Sequence, residues 1–366
     1  MIDNKEKNNK NELRVGVSLK EKNSLGFDVS SAYYAKVESI ESLRELLGSD
    51  VVRAHNVFVL GGGTNVLFSG DYQGVLLQVG IKGIRKIYED EKHVHVEIGA
   101  GEDWPSFVEY AVAKGWGGIE NLALVPGTVG AAPVQNIACY GHNLHETLLS
   151  VTALNVSSGS QREFSCSECN LGYRSSAFKN ELNGQYIIVS IVLKLNKKPI
   201  LNTSYKSRYE SVENELSKLG PPPYTVKDVY QAIINIRKRK LPDVEKIGTV
   251  GSVFKNPLIS FEQFEKIRNI CPDIQCYPER QLDYSSDKQH RKEKKDKVKI
   301  PAAWLIEEMG WAGKRIGDCG IWKTQPINIV NYGDATPEEY LGFIELVQDA
   351  VYKEYAIRLE TEVVIV

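Results

Sequence analysis

Gly61, Gly62, Gly63, Thr64 and Asn65 follow the apolar run Val57–Leu60, so that a short strand candidate runs straight into a glycine loop. Glycines let backbone N–H groups converge on an anion without a Cβ in the way, which makes GGGTN either a phosphate cradle or a tight turn. Val66 stands where the dinucleotide fingerprint wants a small residue, and no Gly-Lys-Ser/Thr follows for a P-loop. A second glycine-rich stretch, GTVGSVFKNP (248–257), carries a hydroxyl at Ser252, a cation at Lys255 and an amide at Asn256. It lacks the G-x-S-x-G elbow of a hydrolase, and it also reads as a hairpin with Ser252 bonded to local backbone. Arg174 lies in the polar run Tyr173–Ser176, a usual setting for a solvated residue. Glu360, Glu362, Val364 and Val366 share one face of a final strand by the period-two rule, so Glu362 either borders a cleft or ends an ordinary strand. Cys166 and Cys169 have a zinc spacing but no matching second pair of ligands, and no metal site is expected.

The elements that must position these residues are mixed α and β. Strands are predicted at Val57–Leu60, Gly74–Val79, His93–Ile98, Tyr186–Leu195 and Arg358–Val366. A helix runs from Trp104 to Lys114, with Pro105 in its first turn and Gly115 as its stop. Another starts at Thr225, where Asp228 completes an acidic capping box, and ends at Pro242. A third has Thr336 as N-cap and Pro337, Glu338 and Glu339 in its first turn. Asn121–Gly141 (NLALVPGTVGAAPVQNIACYG) contains no charged side chain, so its backbone can approach a ligand or another loop closely. Pro221, Pro222 and Pro223 mark a domain boundary.

The chain of 366 residues is 42% hydrophobic and 25% charged, the composition of a folded globular protein with room for two or three domains. A balance of 45 Lys+Arg against 47 Asp+Glu, net −2, excludes a globally basic surface built for nucleic acid. One stretch departs from it: Lys288–Lys299 holds seven basic residues and two acidic ones, which leaves a polyanion-binding role open for that stretch alone. Its lack of interleaved aromatics argues against that role, and no nucleic-acid partner is expected. The polar start and the six cysteines read as a reduced, cytoplasmic protein, without a signal peptide and without a membrane partner.

The order of eight blocks resembles the UDP-N-acetylenolpyruvoylglucosamine reductase (MurB) family: VLGGGTNVLF (59–68), IGAGEDW (98–104), the uncharged segment 121–141, YRSSAFK (173–179), RKRKLPD (237–243), GTVGSVFKNP, PAAWLIEEMGW (301–311) and LETEV (359–363). The first block alone fits many flavoproteins of the FAD-linked oxidase fold, so another oxidase or dehydrogenase of that fold is the enzymatic alternative. The resemblance implies an α+β architecture of the PCMH-like FAD-binding type, with the cofactors FAD and NADPH, and reduction of an enolpyruvyl UDP-sugar by a monomer. It divides the chain into a disordered leader (1–20), FAD-binding subdomains at 21–88 and 89–199, a Tyr loop and linker at 200–224, and a C-terminal substrate-binding domain at 225–366 with a solvated basic insertion at 285–299. It places the catalytic groups at Arg174, Ser252 (the proton donor) and Glu362, and the flavin against Gly61, Gly62, Gly63, Thr64, Asn65, Gly127 and Gly130. Tyr205, Arg237, Lys240, Asn256 and Gln325 match its substrate-binding positions, with Tyr209 a neighbour of Tyr205 in the same loop. Val364 stands where some members carry Arg.

Overall fold

The computed structural model describes residues 13–205, 211–283 and 290–366. Its first sheet has the order Arg14–Ser18, Ser30–Val37, Tyr72–Val79, Val57–Leu60, the last three parallel to one another. Its central strands are apolar on both faces because both faces are covered. Ala35, Val75 and Leu77 point into one core, whereas their neighbours Tyr34 and Leu76 point into a second. The first core also takes in a five-stranded antiparallel sheet, in the order Gln161–Ser165, Leu148–Asn155, Tyr186–Asn196, His93–Gly99, Ile84–Glu89, and the helix Trp104–Ala113. The second core joins the back of the first sheet to the C-terminal unit, which contains the sheet Gly248–Ser252, Asn328–Asn331, Cys319–Ile321, Arg315–Ile316 and the helix Pro337–Tyr355.

The expected capping box at Thr225 forms, and the expected N-cap Thr336 makes one as well. Thr225 Oγ1 accepts from the Asp228 N–H at 3.3 Å while Asp228 Oδ2 accepts from the Thr225 N–H at 2.8 Å. Thr336 and Glu339 do the same at the helix Pro337–Tyr355.

Four expectations are corrected. The leader is ordered from Arg14: Arg14–Ser18 pairs with the strand Ser30–Val37, and Leu19 is fully buried in the second core, while residues 1–12 lie outside the described ones. The helix Val226–Lys240, assigned from sequence to the C-terminal domain, buries Val226, Val229, Ala232, Ile233 and Ile236 in the first core instead. The basic insertion is built on a β-hairpin rather than a loop, because Tyr277–Asp283 and His290–Lys299 pair antiparallel and Leu258–Ser260 adds a third strand at residues 297–299; residues 284–289 lie outside the described ones. The last strand is shorter than expected, Val364–Ile365, because the chain changes partner: residues 360–362 bond to 253–255, and only then does the end pair with Val66–Leu67.

Candidate active site

Two segments predicted to face a flavin face each other. A Cβ on Gly62 would lie 3.0 Å from the Gly127 Cα, and one on Gly61 would lie 2.9 Å from Thr128 Oγ1, so neither position has room for a side chain. Gly127 itself has φ +118°, a conformation open to glycine alone. The N–H groups of Gly62, Gly63, Thr64, Asn65, Gly127 and Thr128 donate to no group among the described residues. Neutral donors gathered at a glycine-lined gap match what a pyrophosphate needs, so these residues fit FAD. Gly63 has a second reason to be glycine: a Cβ there would sit 1.9 Å from the Lys22 carbonyl oxygen.

Gly130 lies under the same gap, with its N–H donating to the Ala100 carbonyl at 2.8 Å. A Cβ would approach the Ala100 Cβ to 2.6 Å. Gly130→Val can be accommodated only by lifting the segment off Ala100, at a cost of about 1–3 kcal/mol. FAD affinity is expected to fall roughly 10- to 100-fold. Flavin absorbance per protein after gel filtration, with circular dichroism as the control for folding, checks this; a fully yellow variant contradicts it.

Arg174 and Glu362 meet, although they come from different units of the fold. Arg174 Nε lies 2.6 Å from Glu362 Oε1, an ion pair by distance without a well-aimed N–H, and both side chains are largely buried. Arg174 is the third residue of the turn Gly172–Ser175, closed by the Gly172 N–H donating to the Ser175 carbonyl at 2.9 Å, and its φ is +52°. That position favours Gly or Asn, so an arginine there is held by its surroundings rather than by its own preference. Glu362 is fixed by its N–H donating to the Val253 carbonyl at 2.7 Å, which brings it beside the strand end that carries Ser252. Burial pushes the Glu362 carboxyl above its ordinary value, and this outweighs the opposite pull of Arg174, Lys179 and Lys255.

The segment 252–256 is stitched to both neighbours. The Asn256 N–H donates to the Tyr173 hydroxyl at 3.2 Å, and Lys255 Nζ pairs with Glu360 at 3.1 Å. Asn256 Oδ1 accepts from the Ala302 N–H at 2.9 Å, at the start of the helix Ala302–Glu308. The Lys240 carbonyl accepts from Trp322 Nε1 at 3.1 Å and Thr324 Oγ1 at 2.7 Å, which places Lys240 beside the turn that holds Gln325. Arg237 and Tyr205 lie against the uncharged segment instead. Arg237 donates to the Leu124 carbonyl at 3.0 Å and to Cys139 Sγ at 3.3 Å, and the Tyr205 ring meets Tyr140 edge-on at 5.3 Å. Tyr209 lies outside the described residues. Val364 bonds to the Val66 strand and brings no charge to the site.

Sequence reasoning missed Gln135, Tyr173 and Lys179. Lys179 Nζ donates to Gln135 Oε1 at 2.8 Å and to the Arg174 carbonyl at 3.3 Å. Both Tyr173 and Lys179 belong to YRSSAFK, the block that carries Arg174, so their closeness in sequence was the available signal. Among the described residues, no helix is long and apolar enough to cross a membrane and no cluster of side chains could hold a metal ion.

Residues 31–165 match the profile of an FAD binding domain, and residues 242–366 match that of the UDP-N-acetylenolpyruvoylglucosamine reductase C-terminal domain. The UDP-N-acetylenolpyruvoylglucosamine reductase of Flavobacterium johnsoniae is 38% identical over 352 residues, covering 96% of this chain and 99% of that protein. The protein of the same name from Pseudomonas putida is 36% identical over 346 residues, covering 94% and 96%. The crystal structure of UDP-N-acetylenolpyruvylglucosamine reductase (MurB) from Thermus caldophilus superposes with a TM-score of 0.63 over 97% of this chain and 99% of that one, at 21% identity, a likeness of fold. With a glycine cradle that fits FAD, a buried Arg174–Glu362 pair beside Ser252, and relatives aligned along nearly the whole chain, this protein belongs to the UDP-N-acetylenolpyruvoylglucosamine reductase family.

Proposed function

We propose that this chain is the NADPH-dependent flavoenzyme that reduces UDP-N-acetylglucosamine enolpyruvate to UDP-N-acetylmuramate, a step of peptidoglycan precursor synthesis, and that it acts as a monomer in the cytoplasm. The observation that carries the reading is the meeting of Arg174 and Glu362, 2.6 Å apart, beside the strand end at Ser252. FAD, when bound, supplies the hydride, having taken it from NADPH. The pyrophosphate would rest on the N–H groups of 62–65 and 127–128, with Gly61 leaving room beside Thr128 and Gly130 giving the segment its close seat on Ala100.

The remaining chemistry belongs to this chain's side chains. Hydride addition to the terminal methylene of the enol ether pushes negative charge onto the adjacent carboxylate, and the Arg174 guanidinium is the cation placed to receive it. The carbon bonded to the ether oxygen then needs a proton, which the Ser252 hydroxyl donates. Glu362, whose carboxyl burial raises above its ordinary value, donates a hydrogen bond to the same charge in its protonated form. Lys240, Asn256 and Gln325 hold the UDP-sugar, with Lys240 as a point charge for its diphosphate. Arg237 and Tyr205 close the site from the flavin side. In this reading the FAD-binding body extends through the helix Val226–Lys240, and the substrate-binding unit begins after it.

An anaerobic two-step experiment tests the proposal. NADPH is expected to bleach the flavin of the purified holoenzyme, and the enolpyruvyl UDP-sugar to restore its absorbance. A flavin that NADPH bleaches but this sugar does not reoxidise points to another dehydrogenase of the same fold.

A further inference from the structure

The turn that carries Arg174 is pinned to the flavin segment by side chains along its whole length. Asn136 Nδ2 donates to the Gly172 carbonyl at 2.9 Å, and Ser176 Oγ donates to the Val134 carbonyl at 2.8 Å. Lys179 Nζ donates to Gln135 Oε1 and to the Arg174 carbonyl, while Gln135 Nε2 reaches the Glu362 carbonyl at 3.4 Å. One ammonium group therefore contacts the Arg174 backbone directly and the Glu362 backbone through a single amide. Arg174 at φ +52° has no intrinsic reason to stay there, so the groups that grip its carbonyl decide where its guanidinium points.

The charge on Lys179 also needs an explanation. Burial lowers its proton affinity, and Lys255 and Arg174 lower it further. A neutral donor would fasten Gln135 at less cost. What the charge adds is a pull on Glu362: with Arg174 and Lys255 it opposes the rise that burial gives this carboxyl, which also faces the Tyr173 side chain, and so limits how far up in pH the proton is held.

We infer that Lys179 is a positioning residue for the second half-reaction, holding the Arg174 turn and the Glu362 strand against the flavin segment and acting on Glu362 by charge, without touching substrate. The inference rests on the reductase reading above. Without the Lys179 charge, Glu362 keeps its proton to higher pH, so the alkaline limb of the second half-reaction moves upward.

The test compares wild-type holoenzyme with Lys179→Met, Lys179→Arg and Ser176→Ala by anaerobic stopped flow across pH. Lys179→Met is expected to be reduced by NADPH at close to the wild-type rate. Its reoxidation by the enolpyruvyl UDP-sugar is expected to slow roughly 10- to 100-fold, as misplacement of a catalytic group does, with the alkaline limb displaced upward. Lys179→Arg should recover most of the rate and the original limb, and Ser176→Ala, which loosens the same turn without removing charge, should slow reoxidation with the limb in place. If Lys179→Met loses its flavin, Lys179→Gln carries the comparison, since it keeps a donor toward Gln135. In Lys179→Met, reoxidation at the wild-type rate, equal slowing of both half-reactions, or a limb that stays put overturns the inference. A wild-type flavin that this sugar does not reoxidise at all overturns the reductase reading, and the inference with it.

Discussion

Ser252→Ala is expected to leave NADPH-driven flavin reduction intact while slowing turnover of the UDP-sugar by about 10²–10⁴-fold, the range for loss of a positioned general acid. The asymmetry follows from what the hydroxyl does. Transfer of a hydride from NADPH to the flavin needs no proton at the sugar, whereas the second half-reaction cannot finish until the carbon bonded to the ether oxygen is protonated. The fold gives a reason why the substitution should stay local. Ser252 ends its strand at a half-buried position, the neighbouring Val253 supplies the carbonyl that holds Glu362, and loss of one hydroxyl leaves that bond in place. Rapid mixing of the enzyme with NADPH, then of the reduced enzyme with the sugar, separates the two steps. A variant slowed equally in both would show that Ser252 supports the structure and donates no proton.

What could be read in advance divides along the range of the forces involved. The helix starts at Thr225, from its capping box, and at Thr336, from its N-cap and first-turn residues, were legible because such signals span a few consecutive residues and need no tertiary partner. The glycine loop and the uncharged segment were legible as backbone open to close approach, by a ligand or by another loop, but Gly63 also packs on the Lys22 backbone, a demand set by a segment far away in sequence. The two ends of the helix Val226–Lys240 were visible from its capping box and from Pro242. Which core would receive it depended on the five-stranded sheet and the helix Trp104–Ala113, which no local pattern encodes. The run Lys288–Lys299 looked like a solvated loop because its side chains are charged, yet backbone pairing with Tyr277–Asp283 and Leu258–Ser260 makes its described part, His290–Lys299, a strand. Charge disfavours a strand interior only weakly when neighbouring strands supply the hydrogen bonds. At the site, Arg174 and Glu362 were identifiable as residue types by resemblance. Their contact, and the left-handed turn that produces it, could not be read from an arginine in a polar run.

The pH dependence of the second half-reaction should reside in Glu362, and the direction can be worked out. Burial raises this carboxyl above its ordinary value, so the protonated form, which donates the hydrogen bond, persists to higher pH than for an exposed glutamate. Activity that needs this form is lost as pH rises through the raised value. In the free enzyme the Arg174 guanidinium beside Glu362 opposes the shift. Once the substrate carboxylate engages Arg174, that opposition weakens and the carboxyl rises further. The alkaline limb of kcat, which reports the complex, is therefore expected at higher pH than the limb of kcat/KM, which reports the free enzyme. Glu362→Ala should lower kcat by about 10²–10³-fold, the loss associated with one donor to developing negative charge. Glu362→Gln keeps a donor that does not titrate, so it should lose less and show neither limb; a limb that survives in Glu362→Gln would assign the titration elsewhere. Stability gives an independent check. Between the ordinary and the raised value the native state binds more protons than the unfolded chain, so wild-type stability falls as pH rises through that window. Glu362→Gln lacks this slope, and its thermal stability relative to wild type should increase with pH across the same window, with no substrate present.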